Sequence, residues 1–204
     1  MTHAALPQVY LASASPRRAA LLNQIGLRFE RLEVQVDEAR HADEPPQTYV
    51  ERVALAKASA GWQSLAAAVR RPVIGADTAI LLDDDILGKP HNRAEGIAML
   101  AKLSGRSHQV FSAVAVLGEQ QAVRTSISEV SFRELRREEC EAYWQTGEPR
   151  DKAGSYAIQG LAAIFISQLR GSYSGVMGLP LFETALLLRQ FGVELLLNQN
   201  QASS

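Results

Sequence analysis

Apolar positions along the chain follow two periods: short runs that suit buried strands, and longer stretches spaced three and four residues apart that suit helices. Val9–Ala12 predicts a first strand. Ser15-Pro16 then supplies a helix start, a serine N-cap with proline at the first helical position, where a missing N–H loses nothing. That helix should run to about Gln24 and stop at Gly26, and Leu27–Val36 alternates enough to predict a second strand. After a proline-rich approach, Tyr49, Val50, Val53, Ala54 and Ala56 carry helical periodicity. Two apolar runs, Val73–Ala76 and Ala79–Leu82, flank Asp77-Thr78, and the second ends in the aspartate turn Asp83–Asp85.

Asn92 can cap a helix from Arg93 to about Leu103, with Gly105 in a position that favours a left-handed cap. Val110–Leu117 and Ala122–Phe132 predict a strand pair joined around Gly118, followed by a short helix near Glu138–Gln145. "GEPRDKAGSYAIQG" predicts a loop, "LAAIFISQL" a strand and "RGSYSGVMGLP" another glycine-rich loop, and Pro180 opens a last helix to about Phe191. Interleaved helices and strands imply an α/β architecture. Residues 198–204 predict a frayed polar tail, leaving a single domain over residues 1–197.

At 204 residues with 47% hydrophobic and 21% charged side chains, the composition is that of a globular enzyme. A formal net charge of −1 offers no global field for a polyanion, so nucleic acid is not the expected partner and any anion must be met by locally placed cations. Cys140 is the only cysteine, which excludes an internal disulfide and a cysteine zinc cage and favours a reducing, cytoplasmic setting. No apolar run reaches the ~18–20 residues of a membrane span. The N-terminal "MTHAALPQVYLASA" lacks a basic n-region and is expected to be a strand, not a signal peptide.

Several charged residues need more than local structure to explain them. Arg17 and Arg18 fall in the first turn of the first helix, whose dipole opposes each cation by about 0.3–1 kcal/mol and favours an anion. Phosphate between them would account for the pair, with Ser13 and Ser15 as hydroxyl donors; pairing of one arginine with a nearby carboxylate and solvation of the other would account for it equally. Lys57 falls within the apolar arc of its helix, so either its stem covers core while the ammonium snorkels, or the arc borders a cleft where the charge meets an anion. Asp77 interrupts an apolar strand pattern, where a carboxylate must be hydrogen-bonded, paired or metal-bound. Lys89, Lys152 and Glu38 lie in loops or at a strand end, where solvation is the default. His3, His41, His91 and His108 show no metal-ligand spacing, and there is no P-loop, no G-x-G-x-x-G and no G-x-S-x-G.

Taken in order, "LASASPRR", "YVERVALAKA", "VIGADT", "LGKP", "LSGRSHQVFSAVAV", "GEPRDKAGSYAIQG" and "GSYSGVMGLP" resemble the Maf family of septum-formation-inhibitor-like nucleoside triphosphate pyrophosphatases, from about Val9 to Phe191. The resemblance implies a two-lobed mixed sheet flanked by helices around a central cleft, similar to inosine triphosphate pyrophosphatase. It implies hydrolysis between the α and β phosphates with a divalent cation, Mg²⁺ or Mn²⁺. Asp77, Lys57 and Lys89 then match the catalytic set, with Asp77 either the base that activates water or a metal ligand alongside Glu38. Ser13, Ser15, Arg17, Arg18, Thr78, Lys152 and Gln159 match the substrate contacts.

One branch of the family resembles dTTP/UTP pyrophosphatases. Another, acting on 7-methyl-GTP, carries Trp, Gln and Glu where this chain has Arg17, Thr78 and Gln159, so the chain resembles the pyrimidine branch. The Gln159 amide can donate to a carbonyl edge of uracil or thymine and accept from the ring N–H. Ala14, Ala157 and Ser174-Gly175 depart from the usual pattern. A homodimer is a family-level expectation. The family's septum name supplies the rival reading, a nucleotide sensor in cell division without turnover.

Overall fold

The computed structural model describes residues 7–195. The expected C-terminal tail and the first six residues lie outside them. Seven strands and six α-helices are present among the described residues: β1 (Val9–Ala12), α1 (Pro16–Gln24), β2 (Phe29–Leu32), α2 (Pro46–Ser64), β3 (Val73–Leu82), β4 (Asp85–Leu87), α3 (Arg93–Leu103), β5 (Ser107–Leu117), β6 (Gln121–Phe132), α4 (Arg137–Gln145), β7 (Ile166–Arg170), α5 (Tyr173–Met177) and α6 (Leu181–Gln190). The strands form one mixed sheet in the order β2-β1-β3-β5-β6-β7, with β4 paired to β3. The α/β expectation is thus met.

β1 runs parallel to both β2 and β3, as expected where helices form the crossovers, whereas β4 on β3 and β7 on β6 are antiparallel. Parallel β1 is buried at all four positions, which matches its uninterrupted apolar run.

Four local expectations need correction. The second strand is shorter than Leu27–Val36, because only Phe29–Leu32 pairs with β1 and residues 33–45 form an irregular connection. Asp77 does not break a strand: β3 is continuous from Val73 to Leu82, its carboxylate being neutralised by a side chain and not by a kink. The "LAAIFISQL" run opens with a 3₁₀ segment, Leu161–Phe165, before β7 begins, and the loop after it folds into the short α5. The aspartate turn is tighter than expected, with Asp83 at φ 54° and β4 already starting at Asp85.

The chain divides into two compact units, the first comprising residues up to Asp77, Ala113–Thr125 and Gly178 onward, the second Thr78–Ser112 and Ser126–Met177. In the first, Tyr10, Ala12 and Val73 pack with Leu32, Val34, Trp62 and Leu65. In the second, Leu100, Leu103, Val130, Phe132, Tyr143, Tyr156 and Phe165 belong to one continuous core.

Helix α2 lies on the first unit's strands through a stripe at Val50, Val53, Ala54, Lys57, Ala58 and Gly61, the spacing of one helical face. The helix backbone comes close enough that a Cβ at Gly75 would sit 2.1 Å from the Ala54 carbonyl oxygen and 2.6 Å from the Ala58 nitrogen. Gly75 and Asp77 share one face of β3, two residues apart, so this approach also brings Asp77 to Lys57. Gly75→Ala should destabilise the protein by about 1–3 kcal/mol, since backbone and not a flexible side chain must move. Gly88→Ala, whose added methyl would meet nothing within 4 Å, should stay within about 0.5 kcal/mol of wild type in urea melts.

Candidate active site

The first unit gathers Ser13, Ser15, Arg17, Arg18, Glu38, Lys57 and Asp77. β1 pairs with β3 at Tyr10↔Val73 and Leu11↔Ile74, so the chain leaves the C-terminal end of β1 at Ser13 on the side toward which β3 carries Asp77. That end of parallel strands is where α/β sheets hold ligands. Ser15 caps α1 by accepting from the Arg18 N–H, while Ser13 Oγ accepts from the Ser15 N–H at 3.2 Å.

Lys57 is neither snorkelling nor solvated. It is 8% exposed, and its Nζ donates to Asp77 Oδ1 at 2.9 Å and approaches Glu38 Oε1 at 2.8 Å. One ammonium therefore holds a buried carboxylate from β3 and a half-exposed one from the 33–45 connection. A buried lysine needs such partners, because an isolated charge in the interior would be strongly disfavoured.

Arg18 resolves part of the puzzle of cations at a helix start. Its Nε donates to the Gly178 carbonyl at 2.7 Å and its Nη1 to Ser13 Oγ at 3.3 Å. Burial pulls its pKa down from the ordinary guanidinium value; the charge of Asp77 opposes that pull, Arg17 adds to it, and Glu38 opposes it. Arg18 thus belongs to one electrostatic cluster with both carboxylates. Arg17 is half-buried beside it.

Tyr49 is a site residue that periodicity conceals. Its apolar ring fits the helical pattern, yet its hydroxyl donates to the Glu38 carbonyl at 3.0 Å. Burial, with the negative charges of Asp77 and Glu38, pushes its pKa up to about 12, so it stays a phenol and a donor. Only its place eight residues before Lys57, on the same side of the helix, could have signalled this.

The resemblance implies a divalent cation, and the donor set suits a hard one. Glu38 and Asp77 are carboxylates that already converge on a single positive point, Lys57 Nζ. Among the described residues no group of three or more His, Cys, Asp or Glu suits a metal. A hard divalent cation held by these two carboxylates would take its remaining ligands from water or phosphate oxygens.

The second unit holds Thr78, Lys89, Lys152 and Gln159. Thr78 Oγ1 lies 3.1 Å from Ser112 Oγ. The Gly154 N–H donates to the Gly88 carbonyl at 3.0 Å, tying the "LGKP" segment that carries exposed Lys89 to the loop that carries Lys152. Lys152 Nζ donates to the Glu148 carbonyl at 2.8 Å and to Asp151 at 2.6 Å, so at rest it is engaged locally. Gln159 is exposed at the far end of the same loop.

Beneath that loop, His108 Nε2 meets Tyr156 Oη at 2.8 Å, and both rings stack edge-on against Phe132. His108 Nδ1 is buried with no hydrogen-bond partner.

The sequence profile of the Maf-like protein family matches residues 8–191. The chain belongs to the Maf-like family. Among relatives, the dTTP/UTP pyrophosphatase of Alkalilimnicola ehrlichii is 53% identical over 92% of this chain and 95% of its own, and that of Aromatoleum aromaticum is 51% identical over 92% and 97%. The dTTP/UTP pyrophosphatase of Saccharophagus degradans is 50% identical over 91% and 89%. Among solved structures, the Staphylococcus aureus Ham1 protein overlaps 61% of this Maf-like chain and 71% of its own at 16% identity, with a TM-score of 0.44.

Burial holds the His108 pKa down at about 4. Below the unfolded value near 6.5 the unfolded chain takes up a proton that the native protein refuses, so stability falls as pH drops from about 6.5 to about 4 and levels off below. The loss should total about 3 kcal/mol at one proton. Urea melts across that range should show the slope in wild type and a flatter profile in His108→Gln.

Proposed function

We propose that this Maf-like protein is a nucleoside triphosphate pyrophosphatase acting on dTTP and UTP, cleaving between the α and β phosphates to give the monophosphate and pyrophosphate. The observation that carries the reading is Lys57 bridging Glu38 and Asp77 next to Arg18 at the start of α1, within a chain about half identical to proteins named for that activity. A triphosphate presents about four negative charges, and loose phosphoryl-type transition states respond mainly to positioned cations.

Each residue has a chemical task. Lys57 holds Asp77 in place through its 2.9 Å hydrogen bond, and that carboxylate takes a proton from the attacking water. Arg18, fixed to Gly178 and Ser13, shapes the helix start, and Arg17 beside it meets phosphate. Glu38 and Asp77 would hold a divalent cation, Mg²⁺ or Mn²⁺, which would neutralise charge on the polyphosphate. Roles for Thr78, Lys89 and Lys152 at the phosphates, and for Gln159 at the pyrimidine edge, rest on the motif resemblance. A cytoplasmic location is supported by the single free, buried Cys140, and no helix among the described residues is long and apolar enough to cross a membrane.

Purified protein incubated with Mg²⁺ or Mn²⁺ and a panel of dTTP, UTP, CTP, GTP and 7-methyl-GTP should release pyrophosphate and monophosphate fastest from dTTP and UTP. Release of inorganic phosphate and the nucleoside diphosphate would place the cleavage between the β and γ phosphates, and nucleotide binding without any product would make the protein a sensor. Asp77→Asn should keep nucleotide binding, because Glu38 still partners Lys57, and lose about 10²–10⁴ in kcat. Undiminished turnover would remove Asp77 from the chemistry.

A further inference from the structure

Glu38 sits in the 33–45 connection, where no sheet or helix ladder holds the backbone. Its carboxylate nevertheless reaches Lys57 Nζ at 2.8 Å. The contacts that fix this connection come largely from α2, and Arg52 is at their centre. Its Nε and Nη2 fork onto the two oxygens of Glu44 at 2.7 and 2.8 Å, and Nη2 also donates to the Ala39 carbonyl at 2.8 Å. The guanidinium lies 5.7 Å from the centre of the Tyr49 ring, whose hydroxyl holds the Glu38 carbonyl.

The far side of the clasp is equally defined. Glu44 is 7% exposed and also accepts from the His41 N–H at 3.1 Å, while Arg40 Nε donates to the Glu44 carbonyl at 2.8 Å. Consecutive carbonyls, Glu38 and Ala39, are thus gripped by side chains three residues apart on one face of the helix that carries Lys57. The Arg52 fork keeps the Glu44 carboxyl at about 2, so the clasp stays charged far into acid. A planar bidentate fork fixes direction as well as distance, which a lysine ammonium cannot reproduce.

We propose that Arg52, acting through Glu44 and the Ala39 carbonyl, is a positioning residue that aims the Glu38 carboxylate at Lys57 and Asp77 and so completes the cation-binding pair. The kinetic consequence rests on the pyrophosphatase reading above; the binding consequence does not. Arg52→Lys keeps the charge and loses the fork. With dTTP it should lower kcat by about 10–100-fold, the range typical when a group orienting a metal-binding carboxylate is lost, with little change in KM. In a Glu38→Gln background the same substitution should add almost nothing, because both changes remove one function.

Mn²⁺ binding, followed by electron paramagnetic resonance in the presence of inorganic pyrophosphate, should weaken by a similar factor in Arg52→Lys. Glu44→Gln, with Arg52 intact, should move the same way and serves as the second variant if thermal melting shows Arg52→Lys to be unfolded. Losses that multiply independently of Glu38→Gln would overturn the proposal and leave Arg52 as an ordinary structural pair. Mn²⁺ affinity unchanged from wild type would overturn it too. Absence of pyrophosphate release from wild-type protein would end the pyrophosphatase reading alone, and the Mn²⁺ comparison would still decide the role of Arg52.

Discussion

An ammonium buried on the apolar stripe of a helix must find negative charge or leave the interior, and Lys57 finds it twice, in Asp77 and Glu38. Much of the first unit follows from meeting that demand. β3 must carry an acid in the middle of an otherwise apolar strand, α2 must come within van der Waals range of the strand backbone, and an irregular connection must be tied down firmly enough to deliver a second acid. Gly75 permits the close approach, and Tyr49, Arg52 and Glu44 secure the connection.

Removing one carboxylate from such a triad does not simply subtract a contact. It changes the solvation demand on the remaining charges, which is why a buried pair is weak evidence for stability and stronger evidence of a functional constraint. Arg18 extends the same pattern: a guanidinium drawn out of water is kept tolerable by the two acids, and its own donors are committed to Ser13 and Gly178. The positive and negative groups are mutually dependent, so the cluster holds its geometry before any substrate arrives. Such preorganisation is what stabilisation of a highly charged transition state requires.

The sequence conveyed the elements whose signals are local. The Ser15-Pro16 start of α1, the Asn92 cap of α3, the left-handed Gly105 and the apolar run of β1 all appear where their residue chemistry predicts. What depends on distant partners was less visible. Continuity of β3 through Asp77 is intelligible only once Lys57, twenty residues earlier, supplies the countercharge. The β2 pattern looks longer than it is because alternation continues past Leu32, after pairing with β1 has ended. In the site, lysine on an apolar arc was the telling anomaly, whereas Tyr49 was hidden by its own hydrophobicity, and Arg52 and Glu44 carry no local signal because their fork forms only where the 33–45 connection folds back onto α2.

The notch at Gly75 also sets the register of α2 along β3. Ala54 and Ala58, one turn apart, straddle the missing side chain, and Trp62 is the next residue in that row. Sliding the helix by one turn, about 5.4 Å, would present Val53 or Gly61 to Asp77 in place of Lys57. In one direction Trp62 would also take a place now filled by alanine. The smallest residue in the strand therefore acts as a detent, and the pairing of opposite charges above it depends on the helix not skipping a tooth.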